Sequence, residues 1–176
     1  MSRVVTLSES DRVEIRLATD EDLPACEIIL RSLPDWFGIE SSIQEYVSAL
    51  PSLTTLVATL NEKVVGFLAV KFHFERSAEI YVLGVHEELH RKGIGTAMLD
   101  WAEGITCERG CAFLQVKTLG PSHPSEEYAR TRQFYLARGF TPIEEFEDLW
   151  PGNPCLLMMK HLNCATQDDF TREARR

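Results

Sequence analysis

The sequence has no apolar run approaching the ~20 residues that a membrane-spanning helix requires. Its five cysteines, Cys26, Cys107, Cys111, Cys155 and Cys164, include no C-x-x-C pair, so the usual spacing of a zinc site is missing. They are expected to be buried thiols in a reducing compartment, with Cys107 and Cys111 sharing a helix face or straddling its end. Positive charge is scarce: 18 Lys and Arg stand against 27 Asp and Glu, a formal net charge of -9. That excludes the basic face of a general nucleic-acid binder. The acid excess fits a cationic small-molecule or peptide partner, and it serves solubility equally well. There is no internal repeat, low-complexity tract or Pro/Gly/Ser-rich linker. One domain over residues 1–176 is therefore expected, with a core at about 13–162 and a polar, frayed tail over 163–176. The start, "MSRVVTLSESDRVEIRL", lacks the apolar core and small-residue cleavage site of a signal peptide. The expectation is a cytoplasmic protein with no membrane partner.

What is present is a soluble, globular composition, 44% hydrophobic and 26% charged. "VEIRL" alternates as a half-buried strand does. Asp20, Asp22 and Pro24 then mark a helix start, and the helix runs to about Ser32. "LPDWFGIE" reads as a loop. Ser42 and Glu45 form a capping box for a second helix, with Ile43, Tyr46, Val47 and Leu50 on one face. Pro51 stops it. "LTTLVATL", "VVGFLAVKFHF" and "AEIYVLGV", joined by short polar turns, predict a three-stranded antiparallel meander. A helix, the strand "CAFLQVKTL", a further helix ending at Gly139 and two final strands follow. The helix between Ile80 and Thr118 makes a β-α-β crossover, so its two strands are parallel neighbours in a mixed sheet.

The stretch "LHRKGIGTAMLDWAEG" carries the chemistry. The first N–H groups of a helix lack partners inside it, and the helix dipole points its positive end there. Gly93 and Gly95 let an anion approach the backbone, and Arg91 and Lys92 add charge. A phosphate or pyrophosphate site follows, unless the turn is an empty entrance to the helix. The P-loop string G-x-x-x-x-G-K-[ST] does not occur, and G-x-G-x-x-G fails at Met98.

"EIYVLGVHEELHRKGIGTAML" resembles motif A of the GNAT superfamily of N-acetyltransferases: a strand, then R/Q-x-x-G-x-G/A, then a helix. His90 takes the R/Q position, a departure from the pattern. "YARTRQFYLARGF" resembles motif B, a helix carrying Phe-Tyr followed by Gly-Phe, with Tyr128 where the family often has Asn. The element order matches over roughly Val13 to Leu162. The resemblance implies an α/β (α+β) fold, with a mostly antiparallel sheet of six to seven strands and about four helices. It implies acetyl-CoA (coenzyme A) as cofactor. The pyrophosphate would lie on His90, Arg91, Lys92, Gly93, Ile94, Gly95 and Thr96. The pantetheine arm would run along Leu83, Gly84 and Val85, with Tyr128 near the cofactor. Gly84 inside a strand suits a bulge or a close backbone approach.

The implied reaction is acetyl transfer to a primary amine of a small molecule or peptide, by direct attack in a ternary complex. Tyr135 would protonate the leaving thiolate, an N–H near Val85 would hold the oxyanion, and Glu79 would be the base. A water chain could replace Glu79. His73 and Glu75 could line the acceptor pocket. The hairpin bearing Glu144, Glu145, Glu147, Asp148 and Trp150 could attract a cationic amine. A CoA-binding module without turnover is the competing reading. Pairing through the edge of the last strands offers a route to a homodimer.

Overall fold

The computed structural model describes residues 3–7 and 11–164. The strands are β1 (Arg3–Thr6), β2 (Arg12–Leu17), β3 (Thr54–Leu60), β4 (Lys63–Phe74), β5 (Ser77–Val85), β6 (Phe113–Leu119), β7 (Thr141–Trp150) and β8 (Asn153–His161). The helices are α1 (Leu23–Arg31), α2 (Glu40–Ala49), α3 (Ile94–Glu108) and α4 (Glu126–Ala137). All eight strands join one sheet in the order β1-β2-β3-β4-β5-β6-β8-β7. The pattern-based expectation of six to seven strands misses β1, four residues too short to show a period, which pairs antiparallel with β2.

The alternating strands sort their side chains onto two faces. Ile15, Leu56, Leu68, Ile80, Leu114 and Met158 pack with Met98, Leu99 and Ala102 of α3. Val57, Phe67, Ala69 and Val82 face the other way, onto Ile29, Leu30 and Ile43 of α1 and α2. Truncating a fully buried Leu or Met in either layer costs about 2–5 kcal/mol.

Local chemistry explains the helix starts, one of them not as the sequence suggests. Asp22 accepts from the Thr19 N–H at 2.7 Å and the Thr19 hydroxyl at 2.9 Å, and pairs with Arg16 across two oxygens. The expected Ser42–Glu45 capping box does not form. Helix α2 starts at Glu40 after extended Ile39, with no side-chain cap. Glu40 instead binds Arg31 of α1 at 2.7 and 2.9 Å, so an inter-helix ion pair sits at this start.

The sheet is antiparallel except where β5 meets β6. There Ser77–Ile80 run parallel to Phe113–Val116, and the pairing then stops. The cause lies on the other side of β5. Ala69 pairs with Val82 and Val70 with Ile80, which leaves Tyr81 as an extra, bulged residue. A bulge adds twist and bends its strand. Of the bulge or close approach expected at Gly84, the bulge falls at Tyr81. Gly84 is a close approach instead: a Cβ there would sit 3.1 Å from Ile29 Cγ2 and 3.3 Å from Phe67 Cε1.

Cys107 at the end of α3 is disulfide-bonded to Cys164 beyond β8, correcting the expectation of thiols throughout. The spacing of 57 residues gave no hint of it, because only the sheet brings the two ends together. Cys26, Cys111 and Cys155 are free and buried. Most of the expected tail, residues 165–176, lies outside the described residues. No helix among the described residues is long and apolar enough to cross a membrane.

Candidate functional site

Past Ile80, β5 and β6 diverge and leave a cleft. Antiparallel pairing turns alternate residues of β5 toward β4. The His86 N–H bonds Val65 O at 2.9 Å, so Gly84 faces β4 while Leu83 and Val85 turn their polar backbone groups to the cleft. On the opposite lip, Thr118 Oγ1 is buried with no hydrogen-bond partner among the described residues. Sequence reasoning did not single out Thr118, because nothing marks a strand threonine whose neighbour strand has departed.

The glycine turn closes one end of this cleft. Gly93 has φ +85° and Arg91 φ +59°, both left-handed. Such alternation turns successive N–H groups to one side, a concavity suited to an anion. A Cβ at Gly93 would meet nothing within 4 Å. Helix α3 has no side-chain cap, and its first internal bond is Ala97 N–H to Gly93 O at 3.0 Å. The amides of Ile94, Gly95 and Thr96 are therefore left for an external acceptor. Arg91 and Lys92 are exposed beside them. His90 does not reach toward that anion position with a free ring. Its Nε2 lies 2.7 Å from Val85 O, which ties the turn to the end of β5.

Helix α4 forms the other wall. Ser125 caps it by accepting from the Tyr128 N–H at 3.1 Å. Tyr128 donates its hydroxyl to Trp36 O, so it holds the loop between α1 and α2 against α4. Burial pushes the Tyr128 phenol up to about 12. Tyr135 is buried between Phe134 and Phe140. Burial, with the Tyr128 and Tyr46 phenols adding to it, raises the Tyr135 phenol, so it stays protonated and able to donate. The chain has four tyrosines. Tyr46, Tyr81, Tyr128 and Tyr135 are linked to one another electrostatically, and Glu79 adds to Tyr46 and Tyr81.

Glu79 is 5% exposed. Its Oε2 lies 2.6 Å from His73 Nε2 and its Oε1 2.7 Å from Lys117 Nζ. Lys117 was not foreseen, since its partner is 38 residues away. Glu75 is not in this cluster; its carbonyl accepts from Cys111 Sγ at 3.5 Å. In the acidic hairpin, Glu145 is engaged with the Ser122 N–H and hydroxyl at 3.1 and 2.9 Å, while Glu144, Glu147 and Asp148 stay on its surface. Burial pushes the Cys155 thiol up to about 11 and the Cys26 thiol to about 12, so neither is a ready thiolate nucleophile. The cleft thus offers an anion seat, an extended backbone edge, a buried carboxylate and a protonated phenol.

Comparison with known proteins bears on the family and the fold. A family model for the acetyltransferase (GNAT) domain matches residues 51–142. A mycothiol acetyltransferase of Corynebacterium glutamicum is 32% identical over 113 residues, covering 57% of this chain and 37% of that protein. An uncharacterized N-acetyltransferase of Chlorobaculum tepidum is 32% identical over 89 residues, covering 51% of this chain and 50% of that protein. The chain therefore spans half or less of the length of these relatives. Two solved structures share the fold. The ribosomal-protein-S18-alanine N-acetyltransferase of Escherichia coli has TM-score 0.72 at 19% identity, covering 89% of this chain and 97% of that one. The PaiA N-acetyltransferase of Thermoplasma acidophilum, in complex with coenzyme A, has TM-score 0.67 at 21% identity, covering 85% and 98%.

Proposed function

This chain belongs to the GNAT acetyltransferase family, and on that premise we propose that it transfers an acetyl group from acetyl-CoA to a primary amine of a small molecule or peptide. The observation that carries the reading is the divergence of β5 from β6 at Tyr81, directly beside the uncapped start of α3. The residues present fit the cofactor. Open amides over Arg91–Thr96 match a pyrophosphate, and the free edge at Leu83 and Val85 matches the amide-bearing pantetheine arm, which would add like a strand. His90 and Tyr128 shape the site by fixing Val85 and Trp36. When bound, acetyl-CoA supplies the activated thioester.

The remaining chemistry belongs to the chain. Glu79 takes the proton that the amine must lose, directly or through water. The N–H of Val85 donates to the carbonyl oxygen as negative charge develops there. Tyr135 donates its phenolic proton to the departing sulfur. The raised, buried cysteine thiols support direct attack in a ternary complex over an acyl-cysteine route. The amine screen below also reads the acceptor class.

Calorimetric titration with acetyl-CoA, against ATP and NADH as controls, tests the cofactor. Selective micromolar binding is expected. An amine screen by CoA release then tests turnover. Tyr135→Phe should lower kcat about 100-fold while binding persists. Binding without turnover over a broad amine panel would leave a CoA-binding module, and no binding would remove the reading.

A further inference from the structure

The ionic cluster below the cleft is more than a strut. Glu79 lies one residue before Ile80, the last β5 residue paired with β6. Lys117 lies one residue past Val116, its counterpart on β6. The lysine therefore stands at the mouth of the cleft and reaches back to Glu79. His73 comes from the next strand on the other side, β4. The two strands flanking β5 thus each place one polar side chain on the same carboxylate.

We propose that Lys117 and His73 are positioning residues that hold the Glu79 carboxylate in one orientation as the base of the acetyl transfer. The inference rests on the acetyltransferase reading above. A carboxylate buried alone tends to take up a proton instead of staying charged, and would then be useless as a base. Lys117 supplies the opposing charge, and His73 supplies the second contact. A carboxylate offers about four lone-pair sites. With one site on each oxygen taken, the carboxylate plane is fixed and the remaining sites are left for water or an amine. The other groups facing it are Tyr46 of α2, Tyr81 of β5, Cys155 of β8 and Lys71, its register partner on β4. Lys71 is drawn aside, its Nζ 5.1 Å from the centroid of the Tyr81 ring. Glu45 is taken up by the Tyr81 hydroxyl at 3.4 Å.

The test compares Lys117→Met, Lys117→Arg, His73→Phe and His73→Gln with the unaltered protein. It reads kcat, KM for both substrates, the pH profile of kcat and calorimetric acetyl-CoA affinity. Lys117→Met should lower kcat about tenfold. It should also move the acid limb of the profile upward by about one pH unit, because loss of a cation makes the carboxylate easier to protonate. Lys117→Arg should recover most of both effects. His73→Phe should lower kcat, and His73→Gln, which keeps a donor, should restore part of it. Acetyl-CoA affinity should stay within about twofold throughout, since none of the four changes touches the glycine turn. An unmoved limb with kcat within twofold of the parent in Lys117→Met would overturn the proposal. So would a loss of kcat matched by an equal loss of acetyl-CoA affinity, the mark of a structural role. Absence of turnover in the unaltered protein would refute the acetyltransferase reading itself, and is seen before any variant is compared.

Discussion

Tyr128 donates its phenolic hydrogen to the backbone carbonyl of Trp36, 92 positions earlier in the chain. The Trp36 Nε1–H donates to Thr131 Oγ1 at 3.1 Å, and the indole meets the His90 ring edge-on, with centroids 5.4 Å apart. One tryptophan therefore links α4, the loop after α1 and the glycine turn. It joins α4 to the residue that opens the glycine turn.

Removing that link should affect binding more than chemistry. Trp36→Ala is expected to raise KM for acetyl-CoA several-fold with a smaller change in kcat, and to cost roughly 2 kcal/mol of stability. Tyr128→Phe deletes one hydrogen bond and should cost about 1 kcal/mol. Steady-state kinetics and thermal melts check both. An unchanged KM in Trp36→Ala would show that the loop forms no part of the donor site.

The two glycines of the turn should behave oppositely. Gly93→Ala forces a side chain into left-handed backbone, at a cost of about 1–2 kcal/mol, although the space around it is open. Gly95 lies inside α3, where a Cβ would meet only the Phe134 ring at 3.7 Å. Gly95→Ala should therefore raise stability by up to about 1 kcal/mol. Acetyl-CoA affinity should stay within about twofold, because the new Cβ meets the Phe134 ring and the glycine-turn pattern itself admits Ala at this position. Melting and titration of the same sample decide the matter, and a lowered melting temperature or a large loss of affinity would overturn the expectation.

Asp22 gives the fold an acid limit. Arg16 beside it, helped by Thr19, holds its carboxyl down to about 2. The folded-state value lies below the unfolded one, so the stabilisation is complete above about pH 4 and fades as the pH falls toward 2. Its size is about 1–2 kcal/mol, reduced by water around the partly exposed Arg16. Asp22→Asn should melt lower than the parent at pH 7, and the gap should narrow as the pH falls toward 2. A constant gap would mean that the ion pair contributes little.

The Cys107–Cys164 bond is expected to stabilise the chain against unfolding by up to about 4 kcal/mol on loop-closure grounds. Cys164→Ser, or the parent in dithiothreitol, should melt lower while acetyl-CoA affinity is retained. Mass spectrometry of the unreduced protein should show the Cys107–Cys164 cross-link.

The long elements were legible because their periods are regular. The meander from Thr54 to Val85, the crossover through α3 and the glycine turn all lie where alternation and helix signals put them. Three features were not legible, for separate physical reasons. The bulge at Tyr81 is a mismatch between two strands, so neither strand shows it alone. The clamp on Glu79 joins residues from three strands and depends on register. The start of α2 follows the Arg31–Glu40 pair across helices, and a local capping rule does not see that partner. Glu79 and Tyr135 were singled out through resemblance of motif; their burial emerged only from packing.

The extra residue at Tyr81 also bears on how the molecule is completed. It leaves the ladder between β5 and β6 as a zipper stopped partway, with unengaged teeth on both sides. An extended chain carrying its own amides closes it. On the proposed reading the cofactor would act as the last strand of the fold, and its departure would be a small local unfolding.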